Sequence, residues 1–494
     1  MVAPQPAAAS WRRPLRRGLI PTLALAPLVA GVAWLCVDTF VPEIGTPLQL
    51  NYVEGFNVDD AGRLAAGKAL YGDPSHAPFV VSVYTPGYPA AVAGLMTAGV
   101  DGLLAARLVQ FLCVLGVAGL IVVSGYARTR WIAVAAGLYF LLDPVQPFWQ
   151  VVARPDAAAT LFALAGIVVL ERTGPTGRKD ALAAAFFAAS IFTKQSFVAA
   201  PAAALIVLRR SGWARVLRFA SLLAVFSAVP AVALQVLTHG EFLRHIVSGN
   251  INPFSWVAVG RLGGRFWSHH LMDLALMLAI LVARPLRQPW SLTGLWAAIA
   301  SVLATIAVGK LGADLNYFIE PLAAIAFLAA RELPSVWKPL PAPWPNAVAA
   351  AFVLCGVAAI ANGFVETLAW GRPLAAARAP YRELVALVAA TPGVVVSDDA
   401  CLLVQAHRTV HIQPFVMTQL AEAGRWDQRP FLAELERQRV KLIIAQVSLE
   451  WVFKTRYTPE MRRLIAERYI PVGGYVLGAA YTVFVPATRQ LPRP

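Results

Sequence analysis

Trp11-Arg-Arg-Pro-Leu-Arg-Arg17, followed at once by Gly18 to Phe40 (GLIPTLALAPLVAGVAWLCVDTF), is the stretch whose reading decides the fold. Four arginines precede an apolar run long enough for the roughly 20 residues that a helix needs to cross a bilayer. The pair resembles a secretory signal, but the apolar part exceeds the usual roughly 7–15 residues and no small-x-small cleavage site follows it. We therefore read an uncleaved first membrane helix, with the arginines holding the N-terminus in the cytosol.

The rest of the chain repeats this theme. Of its 494 residues, 58% are hydrophobic and 14% charged, well below the roughly 25% charged residues of soluble chains. Leu103 to Ser124 and Val216 to Leu237 are further continuous apolar runs, and continuity favours helices over an alternating barrel pattern. The net charge of +15 comes from short basic tufts between apolar runs, which is how cytosolic loops look. No basic patch interleaved with aromatics is present, so no nucleic-acid partner is expected. Cys36, Cys113 and Cys355 lie in apolar runs and Cys401 stands alone, so neither a disulfide framework nor zinc-type spacing follows.

Placing basic tufts inside fixes a path. The first helix exits near Phe40, and Glu43 to Val83 is polar and outside. The short run Pro86 to Val100 carries Pro86, Gly87, Pro89, Gly94 and Gly99. A crossing there would put Arg128 and Arg130 outside, so we read a helix lying at the outer interface. Helices two (101–124), three (131–149) and four (157–170) follow. Helices five (181–193) and six (197–208) form a hairpin with Thr193-Lys-Gln-Ser196 at its outer tip. Helix seven (216–237) leads to an outer loop, His239 to His270. Helices eight (271–283), nine (290–308), ten (315–330) and eleven (346–364) complete the set. Nearly all basic tufts then fall inside, and most acidic residues and all seven histidines outside.

The expected fold is an all-α polytopic membrane protein of about eleven spans. Residues 1–17 form a cytosolic tail, and 18–365 the transmembrane domain with a large first outer loop, 41–100. From about Trp370 the composition turns soluble. Val394-Val-Val-Ser397, Lys441 to Gln446 and Tyr481 to Val485 read as strands, and Phe431 to Arg439 and Pro459 to Arg468 as helices. Residues 370–494 are thus expected to form a small extracytoplasmic α/β domain. The expected location is the inner membrane.

Charge at membrane depth is costly, at least roughly 2.5–3.5 kcal/mol at mid-bilayer, and four polar clusters reach the outer mouth. The first is Asn51-Tyr-Val-Glu-Gly55 with Asp59, Asp60, Arg63 and Lys68. Phe56 to Tyr71 fits a surface helix with Asp59 and Arg63 paired at i,i+4, and Glu54 stands on a Gly-flanked turn before it. Spacing alone leaves Glu54 open as a solvated loop carboxylate or a site acid. The second is Arg154-Pro-Asp156, where Asp156 could simply cap helix four. The third is Lys194-Gln195, where the lysine either snorkels to the interface or binds a phosphate as a point charge. The fourth is Lys310, Asp314, Asn316, Tyr317 and Glu320, the last about one turn inside an apolar run, where its desolvation demands a partner. The outer loop adds His239, His245, Asn250, Asn252, Arg261 and Arg265. No cofactor is expected. A divalent metal on His245 with a carboxylate is the one metal option, though isolated histidines are usually not ligands.

Together these residues resemble GT-C membrane glycosyltransferases, in particular the family of dolichyl-phosphate-mannose protein mannosyltransferases and aminoarabinose lipid A transferases. The features carrying the resemblance are Glu54-Gly, Ala66-Gly-Lys-Ala-Leu-Tyr71, Tyr84-Thr-Pro-Gly-Tyr-Pro89, Ala106-Arg107-Leu108, Arg154-Pro-Asp156 and Thr193-Lys194-Gln195, ordered along residues 18–330. It implies a donor sugar on a polyprenyl phosphate, with the lipid tail in the bilayer. Glu54 would match the first-loop acid that removes a proton from the acceptor hydroxyl, and Asp156 the second acid. Lys194 would steady the departing phosphate, assisted by Arg63 or Arg265. Val53 stands where the family often has an Asp, which leaves Asp59 or Asp60 as other candidates for the working acid. Gly87 stands where a second proline is common. A single displacement would invert the anomeric carbon, and the acceptor would be a glycan, lipid or protein. The rival reading is a transporter, which predicts an internal repeat and mid-membrane polar residues in both halves. The sequence has no such repeat, and its polar clusters lie at one face.

Overall fold

A computed structural model of the chain describes residues 25–142, 147–171, 177–283, 290–337 and 375–488. Helix eleven, the N-terminal tail, Arg284, Arg287 and Cys355 lie outside them. Among the described residues, three helices are long and apolar enough to cross a membrane: Leu25–Ile44, Gly102–Tyr126 and Trp213–Leu237. The bent pair Trp256–His269 and Leu271–Val282, meeting at 80°, would make a fourth. Other expected spans are present as shorter helices, among them Asp156–Glu171, Gly177–Thr193, Ala199–Leu208 and Leu292–Ala307.

Backbone from Gly102 to Leu141 is helical throughout, yet it does not run straight. A Cβ at Gly137 would lie 3.0 Å from the Ala118 carbonyl oxygen, whereas 19 residues of straight helix would separate them by roughly 28 Å. The chain therefore folds back between Tyr126 and Arg130. Helices two and three are the arms of one hairpin, packed closely where glycine removes the side chain. The segment expected at the outer interface forms a helix, Gly87–Thr97.

Several helices carry charge at both ends, which orients the bundle. In Gly177–Thr193, Asp180 binds Arg215 (2.8 Å) and Arg218 (2.6 Å), while Lys194 follows the other end. In Asp156–Glu171, Glu171 binds Arg331 at 2.9 Å at the end opposite Asp156. At about 1.5 Å per residue these helices separate the two polar layers by roughly 21–23 Å. The basic layer and the layer of candidate site residues are opposite faces of one bundle.

The C-terminal region is an α/β unit with sheet order β1-β2-β4-β3: Val394–Ser397, Val440–Ala445, Ala480–Pro486 and Tyr469–Val476. β1 and β2 are parallel, and β4 pairs antiparallel with both β2 and β3. Val395, Leu442 and Ile444 face one core and Val396, Ile443 and Ala445 the other. Burial on both faces explains why these strands read as continuous apolar runs. β3 escaped sequence reading because Pro471, Gly473 and Gly474 have poor strand propensity, which its pairing with β4 overrides. Helices 375–390, Ala400–Gln405, Pro414–Glu422 and Glu450–Arg456 were likewise not foreseen.

The first outer loop completes both of these cores. Leu48 and Phe56 enter one, and Phe79 and Val81 the other. Phe79 bridges Ile412 through its N–H to His411 O (2.7 Å) and its carbonyl to Gln413 N (3.0 Å). Gly55 lies directly against the backbone of Ala400 and Cys401, with no space for a side chain. Gly62, in the same helix Glu54–Ala65, would bring a Cβ only to ordinary contact with Met96 at 3.6 Å. Gly62→Ala should therefore raise stability by up to about 1 kcal/mol through helix propensity. Gly55→Ala should lower it by about 1–3 kcal/mol through overpacking. Thermal unfolding of the two variants beside the native protein checks this, and equal shifts would refute the tight seam.

Candidate active site

Lys194, wholly inside protein, places its ammonium 2.6 Å from Asp156 Oδ1. It reaches this position because helix Gly177–Thr193 ends one residue earlier, beside the first residue of helix Asp156–Glu171. Asn316 Nδ2 donates to the same oxygen at 2.8 Å, and Asn316 Oδ1 accepts from Arg154 Nη1 at 3.1 Å. Arg154 Nη2 donates to the Tyr84 hydroxyl at 3.2 Å. Tyr317 lays its ring 4.4 Å from the Lys194 ammonium, a cation–π contact. Asp156 thus turns its carboxyl to Lys194 and Asn316, and Lys194 is paired where snorkelling would leave it solvated. Burial opposes the lysine's charge, yet Asp156 holds its pKa above the usual value. Asp156 Oδ2 is buried without a hydrogen-bond partner among the described residues, an acceptor position that a ligand's hydroxyl could occupy.

Around this centre, Glu320 accepts from Trp296 Nε1 at 2.9 Å, which supplies the partner its burial demands. Gln195 Nε2 donates to Val83 O (2.8 Å) and Ile246 O (3.1 Å). Lys310 donates to Asn250 Oδ1 at 3.0 Å, and burial with the nearby Lys194 charge lowers its pKa to about 8. Arg265 is exposed on helix Trp256–His269.

A second cluster holds the first-loop acids. Asp59 pairs with Arg63 at 3.2 Å, the foreseen i,i+4 spacing. Arg63 also binds Asp60 and donates to Ser82 Oγ (2.9 Å), which donates to Asp60 at 2.7 Å. Burial raises the Asp59 pKa to about 6 against the pull of Arg63, and burial raises Asp60 also. A small space beside Asp59 is lined by Asn57, Val81 and Gln413. Ser82 serves this cluster and Tyr84 the other. Two residues span at most about 7 Å, so the clusters are neighbours along one segment.

Glu54 occupies a different environment. It is the first residue of its helix, not a preceding turn, and is fully buried. Oε1 accepts from Arg107 Nε (3.0 Å) and Ala153 N (2.8 Å); Oε2 accepts from Arg107 Nη2 (2.8 Å) and Leu50 N (2.7 Å). A carboxylate has about four lone-pair sites, and here all are used. The sequence marks Asn316 and Lys310 only as members of the fourth polar cluster, and Tyr84 and Arg107 only as parts of motifs, with no role of their own in the site. Arg107 had a signal, being a lone charge in an apolar run.

His245 is not a metal ligand in this arrangement. Its Nδ1 accepts from Ser82 N (3.0 Å) and its Nε2–H faces Gly72 O (2.7 Å). Burial lowers its pKa to about 4, so the ring is a neutral strut. Among the described residues no group of three or more His, Cys, Asp or Glu side chains is arranged for a metal. Cys36, Cys113 and Cys401 are free thiols.

The fold of this chain, a helical bundle with buried ionic residues at one end and an α/β unit that shares its cores with the first loop, is matched along nearly its whole length by solved structures. Among solved structures the chain is similar to ArnT from Cupriavidus metallidurans in the apo state, with a TM-score of 0.61, 15% identity, and 97% of this chain and 100% of that one covered. The structure of that protein bound to undecaprenyl phosphate matches at a TM-score of 0.60 and 15% identity, covering 95% and 100%. The archaeal oligosaccharyltransferase AglB from Archaeoglobus fulgidus, in complex with an inhibitory peptide and a dolichol-phosphate, matches at 0.51 and 11% identity, covering 95% and 75%. No family model and no curated protein matches the sequence.

Glu54→Gln leaves Arg107 buried without its counter-charge, which should destabilise the fold by about 3–5 kcal/mol. Arg107→Met should cost more, because it also strips the donors from three loop carbonyls. Denaturant unfolding in nanodiscs measures both; native-like stability of Glu54→Gln would remove the structural role.

Proposed function

We infer that the chain transfers a sugar from a polyprenyl-phosphate donor to an acceptor hydroxyl at the outer face of the membrane. The observation that carries this reading is the buried Asp156–Lys194 pair, ringed by Arg154, Asn316 and Tyr317, with one carboxylate oxygen left open. The full-length likeness to proteins solved with undecaprenyl phosphate and dolichol-phosphate supports it. Nothing in the described residues favours the transporter reading.

In the proposed step the acceptor oxygen attacks the anomeric carbon, forming the new glycosidic bond with inversion. The bond from that carbon to the phosphate oxygen breaks, and the lipid phosphate departs with the electron pair. Charge grows on the leaving oxygen, so cations already in place there lower the barrier. Lys194, Arg154 and Lys310 are the groups we assign to that task, and the open oxygen of Asp156 to a hydroxyl of the sugar or acceptor. The proton goes to a first-loop acid. Glu54 has no open lone pair, which supports a positioning role for it and leaves Asp59 as the base. The inner membrane, an outward-facing C-terminal unit, membrane lipid as the donor's solvent and a glycan, lipid or protein acceptor belong to the same reading.

Asp156→Asn and Lys194→Met should each lower turnover by about 10²–10³, measured with purified protein and a panel of lipid-phosphate sugars; transfer at the native rate by either would remove the pair from the mechanism. A base near pH 6 works only when ionised. Transfer should therefore fall as pH drops through about 6, and Asp59→Asn should abolish that limb along with most activity. An unchanged pH profile in Asp59→Asn would pass the role to another group.

A further inference from the structure

Helix Ala199–Leu208 passes to helix Trp213–Leu237 through one tight turn, Arg209–Ser211, in which no residue is buried. The turn lies in the basic layer, at the end of the bundle opposite Asp156 and Lys194. Four guanidinium groups gather there, those of Arg209, Arg210, Arg215 and Arg218, and Asp180 is the carboxylate bonded to any of them among the described residues. Both oxygens of Asp180 are taken, by Arg215 at 2.8 and 3.0 Å and by Arg218 at 2.6 Å. Arg209 and Arg210 therefore keep their whole charge, and neither pairs with a carboxylate among the described residues.

Each of these two is held by an exposed tryptophan. The Arg209 guanidinium stands 5.0 Å over the Trp213 ring, and Arg210 Nη2 donates to Trp290 O at 2.7 Å. Trp213 is 62% exposed and Trp290 46%. Tryptophan at the end of an apolar helix marks headgroup level, where one side of the ring is apolar and the other wet. Beyond Trp213 the helix turns Leu217, Val225, Val229 and Val232 outward, all more than half exposed, and no residue in its most apolar stretch is buried. Two uncompensated guanidinium groups thus stand at headgroup level over a strip on which acyl chains can lie. A soluble anion would use only the first feature and a neutral lipid only the second. An anionic phospholipid uses both, and arginine's planar fork matches phosphate oxygens.

We propose that Arg209, Arg210, Trp213 and Trp290 form a binding site for an anionic phospholipid in the leaflet at the basic face of the bundle. The lipid's phosphate bridges the two free guanidinium groups, and its chains pack along Leu217 and Val225. The site shares no residue with the proposed sugar transfer, so each stands or falls alone.

Native mass spectrometry of the full chain, titrated in detergent with phosphatidylglycerol or phosphatidylcholine, tests it. Phosphatidylglycerol should be retained in preference to phosphatidylcholine. Arg209→Gln and Arg210→Gln should each weaken its binding about 5-fold, the effect of one cation at an anionic membrane surface, and the double substitution about 25-fold. Arg209→Lys keeps the charge but loses the planar fork, so it should fall between the native protein and Arg209→Gln. Arg130→Gln is the control: Arg130 also lies over a tryptophan ring, 4.7 Å from Trp131, in another turn of the basic layer. Its loss should leave the affinity unchanged. An equal loss in Arg130→Gln would mean diffuse surface attraction and would overturn the site. So would native affinity in the double variant, or equal retention of the two lipids. Displacement of the lipid by glycerol 1-phosphate would overturn it as well, because the ligand would then be a soluble anion. Arg209, Arg210 and Arg130 are all exposed, so these substitutions leave the buried core untouched.

Discussion

Everything at the face that bears Asp156 and Lys194 depends on one buried ion pair, Glu54 with Arg107. Both side chains are withdrawn from solvent entirely, where loss of either partner leaves a charge that water cannot reach. The remaining donors of Arg107 go to the carbonyls of Glu43 (2.8 Å), Thr46 (2.6 Å) and Leu48 (2.6 Å). Glu54 in turn gathers the amides of Leu50 and Ala153. One pair thereby fastens three segments: the entry of the first outer loop, the top of helix Gly102–Tyr126 and the connection leading to Asp156. Asn57 adds a bond to Ala153 O at 2.8 Å. Arg154 and Asp156 lie one and three residues beyond that anchored amide, so their aim is set by a pair that touches neither.

The C-terminal unit follows from the same anchor. With Glu54 fixed, Gly55 presents bare backbone to Ala400 and Cys401, and the helix Ala400–Gln405 closes on it. Tyr52 then sits 4.2 Å from the Arg456 guanidinium, and its hydroxyl accepts from Phe415 N at 3.0 Å. Arg456 is braced by Asp398 at 3.1 Å. The α/β unit and the first outer loop share cores, so each supplies apolar surface that the other must bury. This also puts both on one side of the bundle, the side bearing Asp156 and Lys194.

How far the sequence reveals this depends on the kind of signal. Apolar runs and basic tufts mark helices because bilayer physics acts locally, residue by residue. Helices two and three, the Lys194 hairpin tip and the Asp59–Arg63 spacing were legible for that reason. Charges in apolar surroundings pointed to Asp156, Lys194 and Glu320, since such groups need partners. Which partners they take was not legible. Glu54 and Arg107 are 53 positions apart and Asn316 and Asp156 160 apart, and no local spacing encodes such a pairing. Arg107 stood inside a recognised motif, yet nothing near it named its counter-ion. β3 was hidden for the reverse reason: Pro471, Gly473 and Gly474 signal a loop locally, and only β4, fixed by the whole unit, makes a strand of them.

The balance of charge at the centre bears on its chemistry. Lys194, Arg154 and Lys310 bring three cations to one mouth, and Asp156 and Glu320 are the carboxyls set among them. Even with both carboxyls ionised, one positive charge is in excess in this buried site. In the transfer we propose, a phosphodiester donor would supply the missing negative charge, and its lipid phosphate product would carry a second. The excess therefore favours the departing group over the bound donor, which is the direction catalysis requires. A site neutral without ligand would gain nothing as that charge develops. The pairing of Asp156 with Lys194 serves the same end, because it keeps the ammonium charged and aimed while one oxygen of the acid stays open for a hydroxyl.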